Sequence, residues 1–402
     1  MLAGPQQDRF ESLDILRGVA VLGILAINIQ AMAMPVAYFA NPALNTQYFV
    51  GEGRDIWAIA STFFQFKFIT IFSALFGAGI ILMVGEEKPS PKFGLHYRRM
   101  FWLLILGSLH AYLIWFGDIL TPYAVAGLIV VLARRWRVRT LFIVGFVLVA
   151  LGSLMMIAQH FALEYMPAEE RDALLAEMFS PPPEAIAAEI EAYRGGFFAR
   201  LPDTAPTAVL FQVVQTLFLA PRNIGVMMFG MALYKMGFFT LGWSFMRYVV
   251  LGAAALAIGY AGSQYATTQM FAVEFDPMKL LGAQTAQFWG SLPQAFGYSA
   301  LIMALAKIPF LGLVRAPFAA AGRMALSNYL MCSLIGAFLY YGSPGLGQIG
   351  TVSYPEQAMT VAVIWIATLI WSPIWLTQFR FGPFEWLWRS LTYWKLQPMR
   401  KA

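Results

Sequence analysis

The sequence predicts an all-α, polytopic integral membrane protein. Hydrophobic residues make up 59% of the 402 residues, charged residues make up 12%, and the mean hydropathy is +0.65. A soluble domain has about 45–50% apolar and about 25% charged residues, so this chain lacks the charges that would cover a surface facing water. A bilayer accommodates helices that are apolar on every side. Composition therefore excludes an ordinary soluble enzyme.

Apolar windows of about 20 residues, the length that crosses ~30 Å of hydrocarbon, predict about ten transmembrane helices. Residues 1–402 form one transmembrane helical domain on this interpretation. Only Gly117 and Asp118 separate the third window from the fourth, so these two are equally open to interpretation as a kinked or re-entrant unit. The ten windows are 13–33, 60–84, 100–116, 119–134, 139–160, 207–234, 244–267, 284–306, 318–341 and 358–378.

The distribution of basic residues predicts that both ends of the chain lie in the cytoplasm. Short loops on the cytoplasmic side of a membrane protein are enriched in Lys and Arg. With the first residues inside, alternate loops place 19 of the 27 Lys and Arg on the cytoplasmic side, including Arg9 and Lys88. The net charge of +6 then follows from topology, and no nucleic-acid partner is expected.

Two segments are predicted to lie outside the membrane core. The acidic stretch at about 161–206 holds two short amphipathic helices, 168–179 and 184–194, on the outer side. It is either a cap on the outer surface or a lid over an outward-facing cavity. The stretch at about 383–395 is rich in tryptophan and predicts a short interfacial helix on the cytoplasmic face.

Ionisable residues inside a span are costly, by about 2.5–3.5 kcal/mol on insertion scales, and therefore mark candidate sites. The first window carries Asp14, Arg17 and Asn28 on one helical face. Asp14 and Arg17 are spaced to pair. They either stabilise the start of this helix or border the cytosolic half of a reaction chamber.

His110 is the best single catalytic candidate, because histidine exchanges protons near neutral pH. A lone buried histidine is also commonly structural. Asp118 lies eight residues further on, about 12 Å along a continuous helix. It cannot orient His110 unless the chain turns back at Gly117, so a partner on another helix is expected for Asp118.

Arg222 interrupts the sixth window, and Pro221 before it breaks the helix. A proline leaves backbone carbonyl groups of the helix without their hydrogen bonds, and such groups are tolerated in a membrane where they border protein or a water-filled cavity. In the ninth window, Arg323 and Ser327 share a face and Asn328 follows. Arg323 suits a phosphate or carboxylate. The basic run that includes Arg135 either anchors the chain at lipid headgroups or docks a phosphate-bearing donor.

No metal site is predicted. Cys332 is the only cysteine, and neither His96, assigned to a cytoplasmic loop, nor His160 has a companion at metal-ligand spacing.

Five blocks spread along the chain resemble the bacterial YeiB-like family, and the resemblance covers essentially its whole length. That family is grouped by similarity with the transmembrane acyltransferase superfamily, which includes the lysosomal heparan glucosaminide acetyltransferase. Related acyltransferases with an L-D-x-x-R-G helix often carry a histidine near the far end of that helix, where this chain has Asn28. The blocks are RFESLDILRGVAVLGILAIN (9–28), FITIFSALFGAG (68–79), LGSLHAYLIWFGDIL (106–120), GRMALSNYLMCSLI (322–335) and FGPFEWLWRSLTY (381–393).

The resemblance implies a bundle in a bacterial cytoplasmic membrane that moves an acyl group from cytosolic acyl-CoA, acetyl-CoA in the simplest case, to an extracytoplasmic glycan or lipid-linked acceptor. His110 would act as general base or transient acyl carrier. Asp118 and Asn28 would position the acceptor, and Arg222 would stabilise an oxyanion or bind an anionic substrate. The donor phosphates would lie near Arg98, Arg99, Arg135 and Arg323.

Two other functions remain open at this point. One is a transporter or lipid flippase with its substrate site at the broken helix around Arg222. The other is a scaffold for membrane proteins. Membrane lipids are expected partners in every case, and the sequence leaves open whether copies of the chain associate as a homo-oligomer.

Overall fold

The computed structural model describes residues 10–87 and 92–401, which therefore exclude Arg9 and Lys88. These residues form α-helices and three short 3-10 helices, and they contain no β-strand. The helices are α1 Glu11–Ala33, α2 Val36–Ala40, α3 Glu52–Phe63, α4 Lys67–Val84, α5 Phe93–Leu113, α6 Leu120–Val130, α7 Val138–Glu164, α8 Ala168–Phe179, α9 Pro183–Arg194, α10 Phe197–Leu217, α11 Ala220–Lys235, α12 Phe245–Ala272, α13 Leu281–Ala306, α14 Gly312–Arg323, α15 Ala325–Tyr340, α16 Tyr354–Gln378 and α17 Pro383–Tyr393.

The prediction of an all-α polytopic membrane protein is confirmed. By length and apolar composition, five segments of the described chain can cross a membrane: α1, α3 with α4, α7, α12 and α16. Two bent pairs raise the number to seven, Thr204–Leu217 with α11 at 52° and α13 with Pro309–Arg323 at 102°. The windows at α6 and α15 give helices of only 11 and 16 residues. The count of ten, and the cytoplasmic placement of both ends, stay predictions.

Helix α1 lies at the centre of the bundle and packs against α4, α13, α14, α15 and α16. Its closest neighbour is α14. A Cβ atom on Gly322 would overlap the backbone carbonyl of Asp14, and one on Gly18 would overlap that of Phe318. The absence of side chains at these two positions therefore lets the backbones of α1 and α14 touch, as small residues do between membrane helices.

The two amphipathic helices predicted in the outer insertion are present as α8 and α9. Ile186 and Tyr193 of α9 are buried, and the carboxylate of Glu189 accepts a hydrogen bond of 2.9 Å from the backbone N–H of Val36. Burial raises the pKa of Glu189 above its ordinary value. Helix α10 begins at Phe197 and continues through Pro206, and its apolar part from Thr204 belongs to a candidate membrane span. The end of the insertion at about 206 stays a prediction.

The predicted interfacial helix is present as α17. Its Glu385 carboxylate accepts hydrogen bonds from the backbone N–H groups of Leu326 and Ser327, at 2.6 and 3.1 Å, and so caps the first turn of α15. A carboxylate is favourable at the positive end of a helix. Three residues after Glu385, the ring centroid of Trp388 lies 4.2 Å from the guanidinium of Arg99 in α5. Helix α17 thus joins α5 to α15.

Candidate functional site

The structure brings His110 and Asp118 together in the interior of the bundle. The Nδ1 atom of His110 lies 2.9 Å from Oδ1 of Asp118, and each residue is 1% exposed. The expectation that Asp118 pairs with a different helix is wrong. Helix α5 ends at Leu113, only three residues after His110, and the chain turns back before α6 starts at Leu120.

Both ends of this pair are fixed by local structure. The second carboxylate oxygen of Asp118 accepts a hydrogen bond of 2.8 Å from the backbone N–H of Thr121, in the first turn of α6, so the helix N-terminus stabilises the charge. A Cβ atom on Gly107 would lie 2.6 Å from that same nitrogen. Glycine at this position therefore allows the start of α6 to approach α5, which brings Asp118 to His110.

The other imidazole nitrogen is available for chemistry. A carboxylate can only accept a hydrogen bond, so in the neutral imidazole of His110 the proton lies on Nδ1 and Nε2 keeps its lone pair. Among the described residues, Nε2 is buried without a hydrogen-bond partner. The arrangement holds the histidine in the tautomer that a general base or a nucleophile requires.

A cavity of about 420 Å³ opens below this pair, on the face that the charge distribution assigns to the cytosol. We name it the cytosolic cavity. Small-molecule sites range over about 300–1,000 Å³. Its inner end is formed by Ile119, Leu120 and Tyr123, and its mouth by α17 and the segment before it. The basic residues that line it are Arg17, Arg99, Arg323, Arg380, Arg389 and His96.

Three of the arginines predicted to bind the donor therefore lie in one place. Arg17 also pairs with Asp14 at 2.9 Å, and Arg323 also borders a second surface hollow that contains Asp14. Arg380 and Arg389 were not predicted. The placement of His96 in a cytoplasmic loop is wrong, because it is a buried residue of α5, 1% exposed, with Nε2 3.0 Å from the carbonyl oxygen of Gly127.

Tyr329 of α15 separates the cytosolic cavity from the catalytic candidates. It lines the cavity, and its ring centroid lies 5.2 Å from that of His110. Its hydroxyl accepts a 3.3 Å hydrogen bond from the backbone N–H of Ile119. Asn28 reaches the same tyrosine from the other side, in a gap of about 10 Å³. In the sequence, Tyr329 stands out only as part of the polar run that follows Arg323 in the ninth window, with Ser327 and Asn328, and no role was predicted for it.

Four predicted site residues make contacts that hold other parts of the structure together. The guanidinium of Arg98 lies 4.9 Å from the ring centroid of Trp394, and Arg135 donates to the backbone oxygen of Glu86; neither lines the cytosolic cavity. Ser327 donates to Glu385 at 2.5 Å. The amide of Asn328 bonds to Ala321, Trp371 and Ser372.

Arg222 lies apart from the residues that line the cytosolic cavity. It begins the second half of the bent pair α10 and α11, which confirms a break in the sixth predicted window, although the break falls at Phe218–Leu219, just before Pro221. Its partners are hydroxyls of α4 and α13. A single passage lined by Arg222 and His110 together is therefore absent from the described cavities.

The outer insertion closes the other side of the site. The ring of Tyr193 in α9 lies 4.9 Å from that of Tyr341 between centroids, tilted by 48°, and the guanidinium of Arg200 lies 4.7 Å from the ring centroid of Tyr341. Only a gap of about 10 Å³ remains between these residues and Trp115, about the space of one water molecule. The insertion, which the charge distribution assigns to the outer side, thus packs over the turn that follows α5.

The fold and this site define a polytopic α-helical membrane protein with a buried histidine–aspartate pair beyond an arginine-lined cavity. The chain is 32% identical over 407 residues to YeiB of Escherichia coli (strain K12), with 96% of each chain covered. It is 30% identical over 435 residues to YxaH of Bacillus subtilis (strain 168), with 98% of this chain and 96% of YxaH covered. The protein belongs to the YeiB family.

The DUF418 family, described as a protein of unknown function, matches residues 233–395. A 39.9 kDa protein from the amylase 3' region of Bacillus acidopullulyticus is 25% identical over 396 residues. No solved structure matches the chain. The matched DUF418 segment includes Arg323, Tyr329 and Glu385, while His110 and Asp118 precede it.

Proposed function

We propose that this protein is a membrane-embedded acyltransferase that takes an acyl group from cytosolic acyl-CoA and delivers it to a hydroxyl or amine on the outer side of a bacterial cytoplasmic membrane. The observation that carries the proposal is the unpartnered Nε2 of His110, oriented by Asp118 and separated by one tyrosine from the cytosolic cavity. Charge-assisted hydrogen bonds from arginine suit the phosphates of coenzyme A.

Acyl transfer from a thioester to a hydroxyl or amine involves no change of oxidation state, and the residues of this site can supply the proton transfers. Nε2 of His110 takes the proton from the acceptor hydroxyl or amine as the acceptor attacks the thioester carbonyl, the carbon–sulfur bond breaks, and the coenzyme A thiolate leaves to be protonated. In the alternative with a covalent intermediate, Nε2 attacks the carbonyl first, the carbon–sulfur bond breaks and the coenzyme A thiolate leaves. The acceptor then takes the acyl group from the imidazole, and its proton passes to the freed Nε2 and on to the thiolate. Asp118 stabilises the imidazolium in the first case.

Access to Nε2 requires two local movements. The thioester reaches Nε2 from the cytosolic cavity once the ring of Tyr329 turns aside, and the acceptor approaches from the outer side once the contact between Tyr193 and Tyr341 opens. The two compartments therefore meet at His110, and the acyl group alone passes between them. The acceptor class, a glycan or a lipid-linked group, is part of the proposal.

The test is release of the coenzyme A thiol from acetyl-CoA by the purified protein in liposomes of bacterial lipid extract. His110→Ala is expected to lower the rate on the order of 10²–10⁴-fold, the usual contribution of a general base. His160→Ala, at the outer end of α7, is the matched control and is expected to keep the parental rate. Parental thiol release by His110→Ala refutes the role of His110, and solute uptake without thiol release indicates transport.

A further inference from the structure

Two buried cations lie beside the break between α3 and α4, away from the His110 site. Lys67 is fully buried and Arg222 is 2% exposed. The Nη2 atom of Arg222 donates to the hydroxyls of Thr70, at 2.7 Å, and Ser291, at 2.9 Å. Its guanidinium carbon lies 5.4 Å from the ring centroid of Phe66, the residue before Lys67.

Neither cation has an acidic partner. The ion pairs within residues 10–87 and 92–401 include neither Lys67 nor Arg222. Lys67 donates from Nζ to the backbone oxygen of Ser61 at 2.9 Å, and Nε of Arg222 is buried without a hydrogen-bond partner. A buried charge is strongly unfavourable unless it is paired, and arginine cannot shed its proton. The cluster is therefore suited to bind an anion.

The backbone adds positive potential at the same place. Helix α4 begins at Lys67 and helix α11 begins at Ala220, so both cations lie in the first turn of a helix. Each helix N-terminus carries about half a positive charge, and N-termini of this kind bind anions. Arg222 thus reaches the hydroxyls of Thr70 and Ser291 from one helix N-terminus, and Lys67 lies at the other.

An apolar cleft leads from this cluster toward the lipid. It has a volume of about 350 Å³ and lies between α4, α7, α11 and α13. Thr70 lines the cleft and also accepts the hydrogen bond from Arg222, so one residue separates the cleft from the guanidinium of Arg222. Apart from Thr70 and Ser299, the lining is apolar, with Ile71, Ala74, Phe142, Val226, Phe229 and Leu292 among its residues.

We propose that this cleft and cluster bind a lipid with a terminal phosphate monoester, its chain in the cleft and its phosphate at Lys67 and Arg222. Charge complementarity selects the group, since a phosphate monoester carries about −1.5 to −2 at neutral pH and balances two cations, whereas a carboxylate or a phosphodiester balances one. Its oxygens accept from Nε and Nη2 of Arg222 and from Nζ of Lys67. The proposal is independent of acyl transfer at His110.

The experiment is a native mass spectrometry titration of the full chain in neutral detergent. The probes are phosphatidic acid, phosphatidylglycerol, phosphatidylethanolamine, oleate and inorganic phosphate. Phosphatidic acid is expected to bind most tightly. Arg222→Gln is expected to raise its Kd at least tenfold, and Ala74→Phe, which fills the cleft without touching the cations, is expected to do the same. Arg139→Gln removes an exposed arginine as the control and leaves the Kd unchanged.

Several outcomes overturn the proposal. One is equal binding of phosphatidic acid by the parent and Arg222→Gln, and another is tighter binding of oleate or phosphatidylglycerol. Binding of inorganic phosphate as tight as that of phosphatidic acid, with Ala74→Phe silent, excludes the cleft. If Arg222→Gln does not fold, Ala74→Phe decides alone: a Kd for phosphatidic acid equal to that of the parent refutes the site.

Discussion

The imidazole of His110 and the carboxylate of Asp118 are joined by a hydrogen bond of 2.9 Å across the turn between α5 and α6, with both groups removed from water. In the neutral imidazole the bond places the proton on Nδ1 and leaves the lone pair on Nε2. Each prediction below follows from this geometry or from the elements that position it.

Asp118→Asn is expected to lower thiol release from acetyl-CoA almost as far as His110→Ala does. The amide of the asparagine can donate a hydrogen bond to Nδ1, and this stabilises the tautomer of His110 that carries its proton on Nε2. In that tautomer Nε2 has no lone pair for the reaction. The expected loss is on the order of 10²–10⁴-fold. Asp172→Asn, an exposed change in α8, is the control. A rate for Asp118→Asn close to the parental one contradicts the role of the pair.

Arg99→Ala and Arg323→Ala are expected to raise the KM for acetyl-CoA about tenfold or more and to change kcat little. Both side chains line the cytosolic cavity, and a hydrogen bond to a charged group contributes about 1.5–3 kcal/mol. Initial rates over a range of donor concentrations separate the two constants. Arg137→Ala, which removes an exposed arginine of the same face, should match the parent. A selective loss of kcat would place the donor elsewhere.

Tyr329→Ala is expected to expose His110 to the cytosolic cavity. Modification by diethyl pyrocarbonate, followed residue by residue by mass spectrometry, reports this access. Parent protein should react slowly at His110 because Nε2 is buried, whereas Tyr329→Ala should react many-fold faster and Tyr329→Phe, which keeps the ring, should stay slow. Equal reactivity of all three proteins would show that Tyr329 is not the barrier.

Glu385→Ala is expected to lower the thermal stability of the protein. The change leaves the N–H groups of Leu326 and Ser327 without their cap, a loss of about 1–2 kcal/mol. Burial raises the pKa of Glu385, and the hydrogen bonds from Ser327 and Leu326 oppose that shift. The melting temperature of purified protein is the measurement, with the exposed Glu87→Ala as control. An unchanged melting temperature contradicts the role of Glu385 in joining α17 to α15.

The sequence predicted the fold class because composition decides it: a chain with 12% charged residues cannot cover a soluble surface. The helices α8, α9 and α17 were also predictable, since their apolar residues recur at helical spacing. The break between α3 and α4 was not, because Gln65 and Phe66 are not helix breakers. Lys67 follows this break, and the sequence did not indicate that its side chain is buried near Arg222.

The candidate site was predicted in its parts and missed in its arrangement. His110 and Asp118 stood out as ionisable residues within apolar windows, but a straight helix would have held them about 12 Å apart. Their contact depends on the end of α5 at Leu113. The sequence does not predict this end, because the apolar run continues through Ile114, Trp115 and Phe116. The position of Arg389 at the cytosolic cavity was likewise not predictable from the sequence, because it depends on how α17 packs against the other helices.

The measurement that tests the central claim most directly is a structure of the protein with a non-hydrolysable thioether analogue of acetyl-CoA. The account predicts density for the analogue in the cytosolic cavity, with its phosphates at Arg99 and Arg323 and its acyl group beside Nε2 of His110, where the ring of Tyr329 has turned away. A well-resolved cavity without the analogue, or an analogue bound with its acyl group remote from His110, would contradict it.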